Sequence, residues 1–184
     1  RACKVFAFEP SVFNLEFLAR NIHLNKLFEK VVIIPLPLTS SLQISTLNMT
    51  STDWGGALST FGENYGDDGK NMSRIFEFST VGISMDQAVR ILDLPLPSHI
   101  KMDVDGIEHL ILSGGETVLK QVAELAIEVN EDFGEKSENV KKHCEKAGLF
   151  FKEKRHSEIY DNNPRSCNTY NQVWCRQPKS KSPE

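Results

Sequence analysis

One segment near the start of the chain restricts the fold more than any other feature of the sequence. Residues 5–8 form an apolar run typical of a strand, the run ends on the carboxylate of Glu9, and a helical pattern follows at once from Pro10 and Ser11. A strand that leads directly into a helix is the repeating unit of an α/β fold. In such folds ligands bind beyond the carboxyl ends of the strands, so the sequence predicts that Glu9 lies at a binding edge.

The rest of the chain continues the alternation of strands and helices. Further strands are predicted over residues 31–34, 99–104, 122–129, 150–154 and 170–175, and helices over residues 84–93, 108–112 and 137–147. Two segments, 42–47 and 75–81, are predicted to pair as strands around a long insertion. We expect one α/β domain with a twisted, mostly parallel sheet over residues 1–176, followed by a polar tail over residues 177–184.

Length and composition limit the function classes that fit the chain. The 184 residues, 40% hydrophobic and 25% charged, are typical of one globular domain. A net charge of −4 gives no sign of the basic surface that binds nucleic acid. No apolar run in the sequence is long enough to cross a membrane. The four cysteines lack zinc-finger spacing and the density of a disulfide scaffold, which favours reduced thiols and a cytoplasmic location. The expected partner is a small molecule or a carbohydrate, and the oligomeric state is left open.

The carboxylate of Glu9 has two interpretations from its position alone. It can accept both hydroxyl hydrogens of a nucleoside ribose, as an acid at this place does in dinucleotide-binding dehydrogenases. It can also be a solvated strand end whose charge favours the N-terminus of the following helix.

A second acidic segment follows a later strand. Asp103 closes that strand, Asp105 lies two residues on, and Glu108 falls in the first turn of the next helix. Three carboxylates within six residues repel one another, so the cluster requires a cofactor, a substrate, a cation or backbone N–H groups to stabilise it. Helix capping together with a salt bridge to Lys101 is the simplest alternative to a binding role.

The polar insertion at residues 48–74 carries five glycines and several aromatic side chains, among them Trp54 and Tyr65. Loops of this length inside a compact domain are usually functional or disordered. Glycines permit movement, and aromatic rings offer a flat face to a sugar or an adenine. The insertion therefore fits either a lid over the site or a mobile surface loop.

Both acidic segments resemble the FkbM-type family of S-adenosylmethionine-dependent methyltransferases. The first match is KVFAFEPSVFNLEFLARNIHLN at residues 4–25, where the family has a strand close to AFEP and a helix that ends in an Asn-rich stretch. The second is IKMDVDGIEHLILSGGETVL at residues 100–119, similar to the family pattern lKiDvEGaE…vl.Ga…L, with Asp105 in place of the usual Glu. The family's glycine-rich first motif is absent, so we expect the chain to start at the second strand of the sheet.

The resemblance implies a class I methyltransferase (Rossmann-like) fold, with helices on both faces of the sheet and an antiparallel last strand. It implies transfer of a methyl group from S-adenosylmethionine to a hydroxyl of a sugar or secondary metabolite. Glu9, next to Pro10, would hold the cofactor ribose, and Leu36 and Leu38 would pack on the adenine. The segment Asp53-Trp54-Gly55-Gly56-Ala57 resembles a family segment that lies over the active site.

Catalysis needs a group that accepts the hydroxyl proton close to the methyl group. Asp103 is the first candidate for this general base and for a cofactor contact, with Glu128 or His109 as further candidates. The residues expected on the acceptor side are Trp54, Tyr65, Asp105 and Glu108. No metal is expected.

Three alternatives stay open. A glycosyltransferase would bind a divalent ion through Asp103 and Asp105 and use a nucleotide sugar. A non-catalytic binding domain would explain the missing glycine loop. A metal-dependent O-methyltransferase would bind Mg²⁺ through oxygen ligands such as Asp103, Glu128 and Asn130.

Overall fold

The fold is described by a computed structural model over residues 3–66, 68–156 and 168–177. The strands are β1 (Val5–Phe8), β2 (Val31–Ile34), β3 (Gln43–Met49), β4 (Ser59–Phe61), β5 (Phe76–Gly82), β6 (His99–Met102), β7 (Glu124–Asn130), β8 (Phe150–Arg155) and β9 (Thr169–Cys175). The helices are α1 (Val12–Leu24), α2 (Met85–Ile91), α3 (Glu108–Ser113), α4 (Glu116–Leu119) and α5 (Gly134–Lys146). The predicted tail lies outside the described residues from residue 178 on.

The strands form three sheets. Strands β1 and β2 are parallel neighbours, and β3 lies between β4 and β5 in an antiparallel sheet. The third sheet has the order β6-β7-β9-β8, in which β6 and β7 are parallel while β9 is antiparallel to both of its neighbours. The described residues therefore form a mixed α/β fold, in which two strand pairings are parallel and four are antiparallel. The antiparallel pairings arise because the insertion builds a sheet of its own and the chain returns through a hairpin-like β8–β9 pair.

Local sequence signals explain where the helices begin and end. Ser11 accepts a hydrogen bond from the backbone N–H of Asn14 and so caps α1. The predicted capping box of Ser84 and Gln87 is present at the start of α2. Gly148 follows the last turn of α5 with a φ of +77°, which is the conformation expected past a helix C-terminus.

The main hydrophobic core packs α3 and α5 against β7. Alternate side chains of β7 are buried, which is the pattern of a strand that faces this core. Leu47, Met49 and Phe61 belong to the same core, so the strands of the insertion sheet contribute to it. No helix among the described residues is both long and apolar enough to span a bilayer.

The interpretation of residues 48–74 as one loop needs correction. Strand β3 extends to Met49, and the three-residue strand β4 lies inside the insertion. Phe61 is only 2% exposed, and Asn48 is also buried. A strand of three residues is too short to show a recognisable alternation of apolar and polar side chains, so the sequence pattern could not reveal it.

Candidate functional site

The carboxyl ends of β1 and β2 place an acid beside an apolar side chain. The backbone N–H of Glu9 donates to the carbonyl of Ile34 at 3.2 Å, and the N–H of Leu36 donates to the same carbonyl at 2.9 Å. Both side chains are half-buried, as is Pro10. Leu38, two residues further on, packs against the main core. This edge therefore offers Glu9 and Leu36 to a ligand, with Leu38 behind them.

The Glu9 carboxylate lies at the N-terminus of α1. Its Oε1 accepts a hydrogen bond from the backbone N–H of Ser11 at 2.8 Å. Burial raises the pKa of Glu9 above its usual range, hydrogen bonds from Ser11 and from the Asn14 side chain oppose the rise, and the charge of Asp105 adds to it. Asn14 in α1 bonds to Gly56, and Ser59, three residues on, bonds to Asp105, so the loop after β6 comes close to the end of β1.

Asp105 connects that loop to the insertion. Its Oδ2 accepts a hydrogen bond from the backbone N–H of Ser59 in β4 at 3.0 Å. Asp105 has a φ of +50°, and Gly106 follows with a φ of +101°. Two successive residues in this left-handed region make a sharp turn, which favours a glycine at one of them. The turn brings the strand ends of β1, β4 and β6 to one place.

Glu108 holds this turn from inside the protein. Glu108 is only 8% exposed. Its Oε1 accepts hydrogen bonds from the backbone N–H groups of Val104 at 3.4 Å and Gly106 at 3.3 Å. Burial raises the pKa of Glu108 to about 7, although the backbone hydrogen bonds oppose the rise. Lys136 donates to the carbonyl of Gly106 at 2.9 Å, so the turn is held from two sides.

Lys136 also joins the insertion to the start of α5. Its Nζ lies 3.3 Å from the centre of the Tyr65 ring and 3.8 Å from the centre of the Phe133 ring. The two rings meet edge to face, with centres 6.0 Å apart. Burial, together with Glu63, raises the pKa of Tyr65 to about 12. These contacts hold Tyr65 over the acidic turn.

His109 lines a small cavity of about 20 Å³ between α3, α5 and β7, together with Glu128, Asn130 and Thr169. Burial, together with the neighbouring charges of Lys136 and His143, lowers the pKa of His109 to about 4. The imidazole is therefore neutral at physiological pH, with a buried Nδ1.

Asp103 lies in a different environment, on the open face of the third sheet. Its Oδ2 is 2.9 Å from Nζ of Lys101, and its side chain is 53% exposed. Lys101 donates to Oδ1 of Asn171 at 2.8 Å, and Asn171 donates to Glu128 at 3.5 Å. The structure thus brings Asp103 and Glu128 into one hydrogen-bonded network across β6, β9 and β7. Within the described residues, no group of three or more His, Cys, Asp or Glu side chains has an arrangement that could hold a metal ion.

The side chain of Trp54, from the insertion, packs against helix α1. Its ring is stacked on Phe17, with centres 6.4 Å apart and planes 14° apart, and the guanidinium of Arg20 is 5.4 Å from the ring centre. The Asn14 side chain bonds to the backbone of Gly55 and Gly56. The segment that follows Thr50 is therefore attached to the helix that follows Glu9.

Three polar residues of this region, Asn14, Lys136 and Asn171, were not predicted from the sequence, and neither was the hydrogen bond from Lys101 to Asn171. Asn14 gives a weak signal, since it lies in the first turn of the helix that follows Glu9. Asn171 gives none, because its neighbours in space depend on the register of β9 against β7.

Comparisons with known proteins bear on the fold. No protein-family model matches the sequence, and no curated protein matches it. Among solved structures, the chain is similar to the crystal structure of methyltransferase FkbM from Methylobacillus flagellatus KT, with a TM-score of 0.58 and 13% sequence identity. The match covers 94% of this chain and 36% of the FkbM chain, so the chain spans about a third of its length. At this identity the likeness shows a shared mixed α/β fold.

Proposed function

We propose that this chain carries the core of an S-adenosylmethionine-dependent methyltransferase that acts on a hydroxyl group of a sugar or secondary metabolite. One observation carries the proposal: Glu9 and Leu36 follow neighbouring parallel strands at one edge, in a fold shared with an FkbM methyltransferase. An acid and an apolar side chain at adjacent strand ends match the ribose and the adenine of a nucleoside.

The residues at this edge fit the cofactor. A carboxylate has about four acceptor positions, and the structure gives Glu9 one hydrogen bond, from the backbone N–H of Ser11. Capacity is left for two ribose hydroxyl groups. The half-buried Leu36 supplies an apolar surface for the adenine, and Pro10 shapes the chain between Glu9 and α1.

The finer architecture belongs to the same proposal. In a class I sheet, β1 and β2 would continue into β6-β7-β9-β8, with one more strand between β1 and β6. Two observations support this arrangement. Among the described residues, β1 pairs only with β2 and β6 pairs only with β7. The contacts of Asn14 with Gly56 and of Ser59 with Asp105 bring the loop after β6 toward the helix that follows β1.

The chemistry requires orientation and removal of one proton. Bound S-adenosylmethionine supplies a methyl group on a sulfonium, which needs no further activation. Asp103 takes the proton of the acceptor hydroxyl, and its ion pair with Lys101 orients the carboxylate. Glu128, in the same network, and the neutral His109 are the other groups in this region able to take a proton.

The acceptor in this proposal is a small molecule or a carbohydrate. The network on the open sheet face presents a carboxylate, an ammonium group, an amide and a second carboxylate, each hydrogen-bonded to the next. A polyhydroxylated acceptor can exchange hydrogen bonds with all three group types. Tyr65 in the insertion is linked to the acidic turn through Lys136, which contacts its ring and bonds to the Gly106 carbonyl.

Titration calorimetry on the natural protein tests the proposal. S-adenosylmethionine and S-adenosylhomocysteine should each bind with a Kd in the micromolar range, roughly −8 kcal/mol. A nucleotide sugar with Mn²⁺ serves as the comparison ligand. Heat with the nucleotide sugar and none with either S-adenosyl compound would favour the glycosyltransferase, and no heat with any ligand would favour a non-catalytic domain.

A further inference from the structure

The segment at residues 51–56, which we call the Trp54 turn, is built as a tight turn and docks on one face of α1. The backbone N–H of Gly56 donates to the carbonyl of Asp53 at 3.0 Å, and Ser51 Oγ accepts from the N–H of Asp53 at 3.0 Å. Gly55 has a φ of +74°, a conformation that glycine adopts without strain. The turn therefore has a defined shape of its own, and its position depends on what it docks against.

Asn14 supplies the polar part of that docking surface. Its Oδ1 accepts from the N–H of Gly55 at 2.9 Å, and its Nδ2 donates to the carbonyl of Gly56 at 3.1 Å. One side-chain amide thus pairs with a donor and an acceptor of the turn at the same time. Such a two-point contact fixes orientation as well as distance.

Phe17 and Arg20 supply the rest of the surface, three and six residues further along α1. The Phe17 ring is stacked on Trp54, and the Arg20 guanidinium lies over the same indole. Residues spaced by three lie on adjoining parts of one helix face. Asn14 is the member of this face that is nearest in sequence to Glu9.

The connection to Glu9 runs through Ser11 at the start of α1. Ser11 donates its backbone N–H to Glu9 and accepts the N–H of Asn14 on its hydroxyl, which fixes the first turn of α1 against the carboxylate. Glu9, Ser11, Asn14 and the two glycines of the turn thus form one continuous chain of hydrogen bonds.

We propose that Asn14 is a positioning residue that couples the Glu9 carboxylate to the Trp54 turn, so that a ribose bound at Glu9 and the docked turn stabilise each other. This inference rests on the proposed role of Glu9. Ribose hydroxyl groups that donate to Glu9 fix the carboxylate that holds the Ser11 N–H, and with it the first turn of α1 that carries Asn14. The Asn14 amide then stays aligned with Gly55 and Gly56 of the turn. By linkage, a docked turn strengthens ribose binding by the same factor.

Tryptophan fluorescence gives a direct readout, because the sequence has two tryptophans in unlike environments. Trp54 is 57% exposed, whereas Trp174 is 3% exposed. The Trp54→Phe variant reports Trp174 alone, so the difference from the parent isolates the Trp54 signal. Acrylamide quenching of that signal should fall about twofold or more when S-adenosylhomocysteine saturates the parent protein.

The coupling predicts a specific change in Asn14 variants. In Asn14→Ala, the Kd for S-adenosylhomocysteine should rise about tenfold, and saturating ligand should no longer protect Trp54 from acrylamide. Asn14→Asp keeps the shape of the side chain but places a negative charge beside Glu9 and the Gly56 carbonyl, so its Kd should rise about a hundredfold. Asn21→Ala is the matched control, because the Asn21 amide donates to the Phe17 carbonyl within the same helix, and it should behave like the parent.

The outcomes separate the coupling from the proposed function. If the parent binds S-adenosylhomocysteine in calorimetry and Asn14→Ala shows the same Kd and the same protection of Trp54, the coupling is overturned while the cofactor assignment stands. If the parent itself binds no S-adenosylhomocysteine, the role of Glu9 fails and the coupling fails with it. A thermal melt of each variant identifies any loss of folding, and Asn14→Asp, which keeps the size of the side chain, then decides the question.

Discussion

Two regions of this protein contain clustered carboxylates, and they differ in the groups that bind those carboxylates. The backbone-bound acids, Glu9, Asp105 and Glu108, each accept hydrogen bonds from main-chain N–H groups. The open-face network, made of Lys101, Asp103, Glu128 and Asn171, is connected through side chains, and Asp103 is 53% exposed.

The two kinds of hydrogen-bond partner suit the carboxylates to two different functions. A carboxylate bonded to the backbone fixes the shape of a turn, and its burial makes the charge costly, as the raised pKa values of Glu9 and Glu108 show. A carboxylate held by an ammonium group at the surface stays accessible and can exchange its partner for a ligand. We therefore expect the backbone-bound acids to build the cofactor side of the site and the open-face network to serve the acceptor and the proton.

The largest expected effect comes from the open-face network. Asp103→Asn should lower the turnover of methyl transfer by about 10²–10⁴, which is the usual cost of losing a general base, and should leave the free energy of unfolding nearly unchanged. Initial rates with saturating S-adenosylmethionine and chemical denaturation measure the two quantities. Full activity with a stability loss of about 1 kcal/mol would show that Asp103 only caps a helix. Loss of the parent's activity on chelation, restored by Mg²⁺ or Mn²⁺, would favour a metal site.

The next effect belongs to Glu108 and depends on pH. Its pKa is about 7 in the folded protein and near 4.5 when the chain is unfolded, so the folded state binds more protons between these values. The contribution of Glu108 to the free energy of unfolding is therefore full below about pH 4.5 and is lost as pH rises through 7, by about 3 kcal/mol.

His109 opposes this trend. Its pKa is about 4 in the folded protein against 6.5 in the unfolded chain, so the unfolded state binds more protons between these values and stability rises with pH. The two slopes offset each other in the parent between about pH 4.5 and 6.5. Urea denaturation across pH 4–8 should show falling stability in His109→Gln and rising stability in Glu108→Gln. Identical pH profiles in the two variants would contradict this assignment.

A smaller effect is expected where the insertion meets α5. Lys136→Met removes the hydrogen bond to the Gly106 carbonyl and the ammonium group over the Tyr65 and Phe133 rings. The free energy of unfolding should fall by about 1–2 kcal/mol in urea denaturation. Lys142→Met is the matched control, since Lys142 is exposed on the same helix, and its stability should stay within about 0.5 kcal/mol of the parent. Equal losses in both variants would show that Lys136 does not hold the acidic turn.

Features encoded by neighbouring residues were predictable from the sequence. The strand, acid and helix around Glu9 follow from an apolar run and a helical repeat, and the capping box of Ser84 and Gln87 follows from its spacing. The pairing of β3 with β5 followed from two matching segments. In each case the signal lies within a few residues of the structure that it determines.

The relations between distant segments were not predictable in the same way. Lys101 meets Asn171 seventy residues away only because β9 lies beside β7 in one particular register. The Glu108 carboxylate, assigned from the sequence to the acceptor side, is directed at the backbone of its own loop. Periodicity shows which residues share a face, but it carries no information on which face meets which.

The division of tasks between the two acidic regions can be tested by one measurement. Titration calorimetry should compare the Kd for S-adenosylhomocysteine in the natural protein, in Glu9→Gln and in Asp103→Asn. We predict that Glu9→Gln loses about 1–3 kcal/mol of binding free energy, the usual value for a hydrogen bond to a charged group, whereas Asp103→Asn stays within a few-fold of the parent. Unchanged affinity in Glu9→Gln, or an equal loss in both variants, would contradict the account.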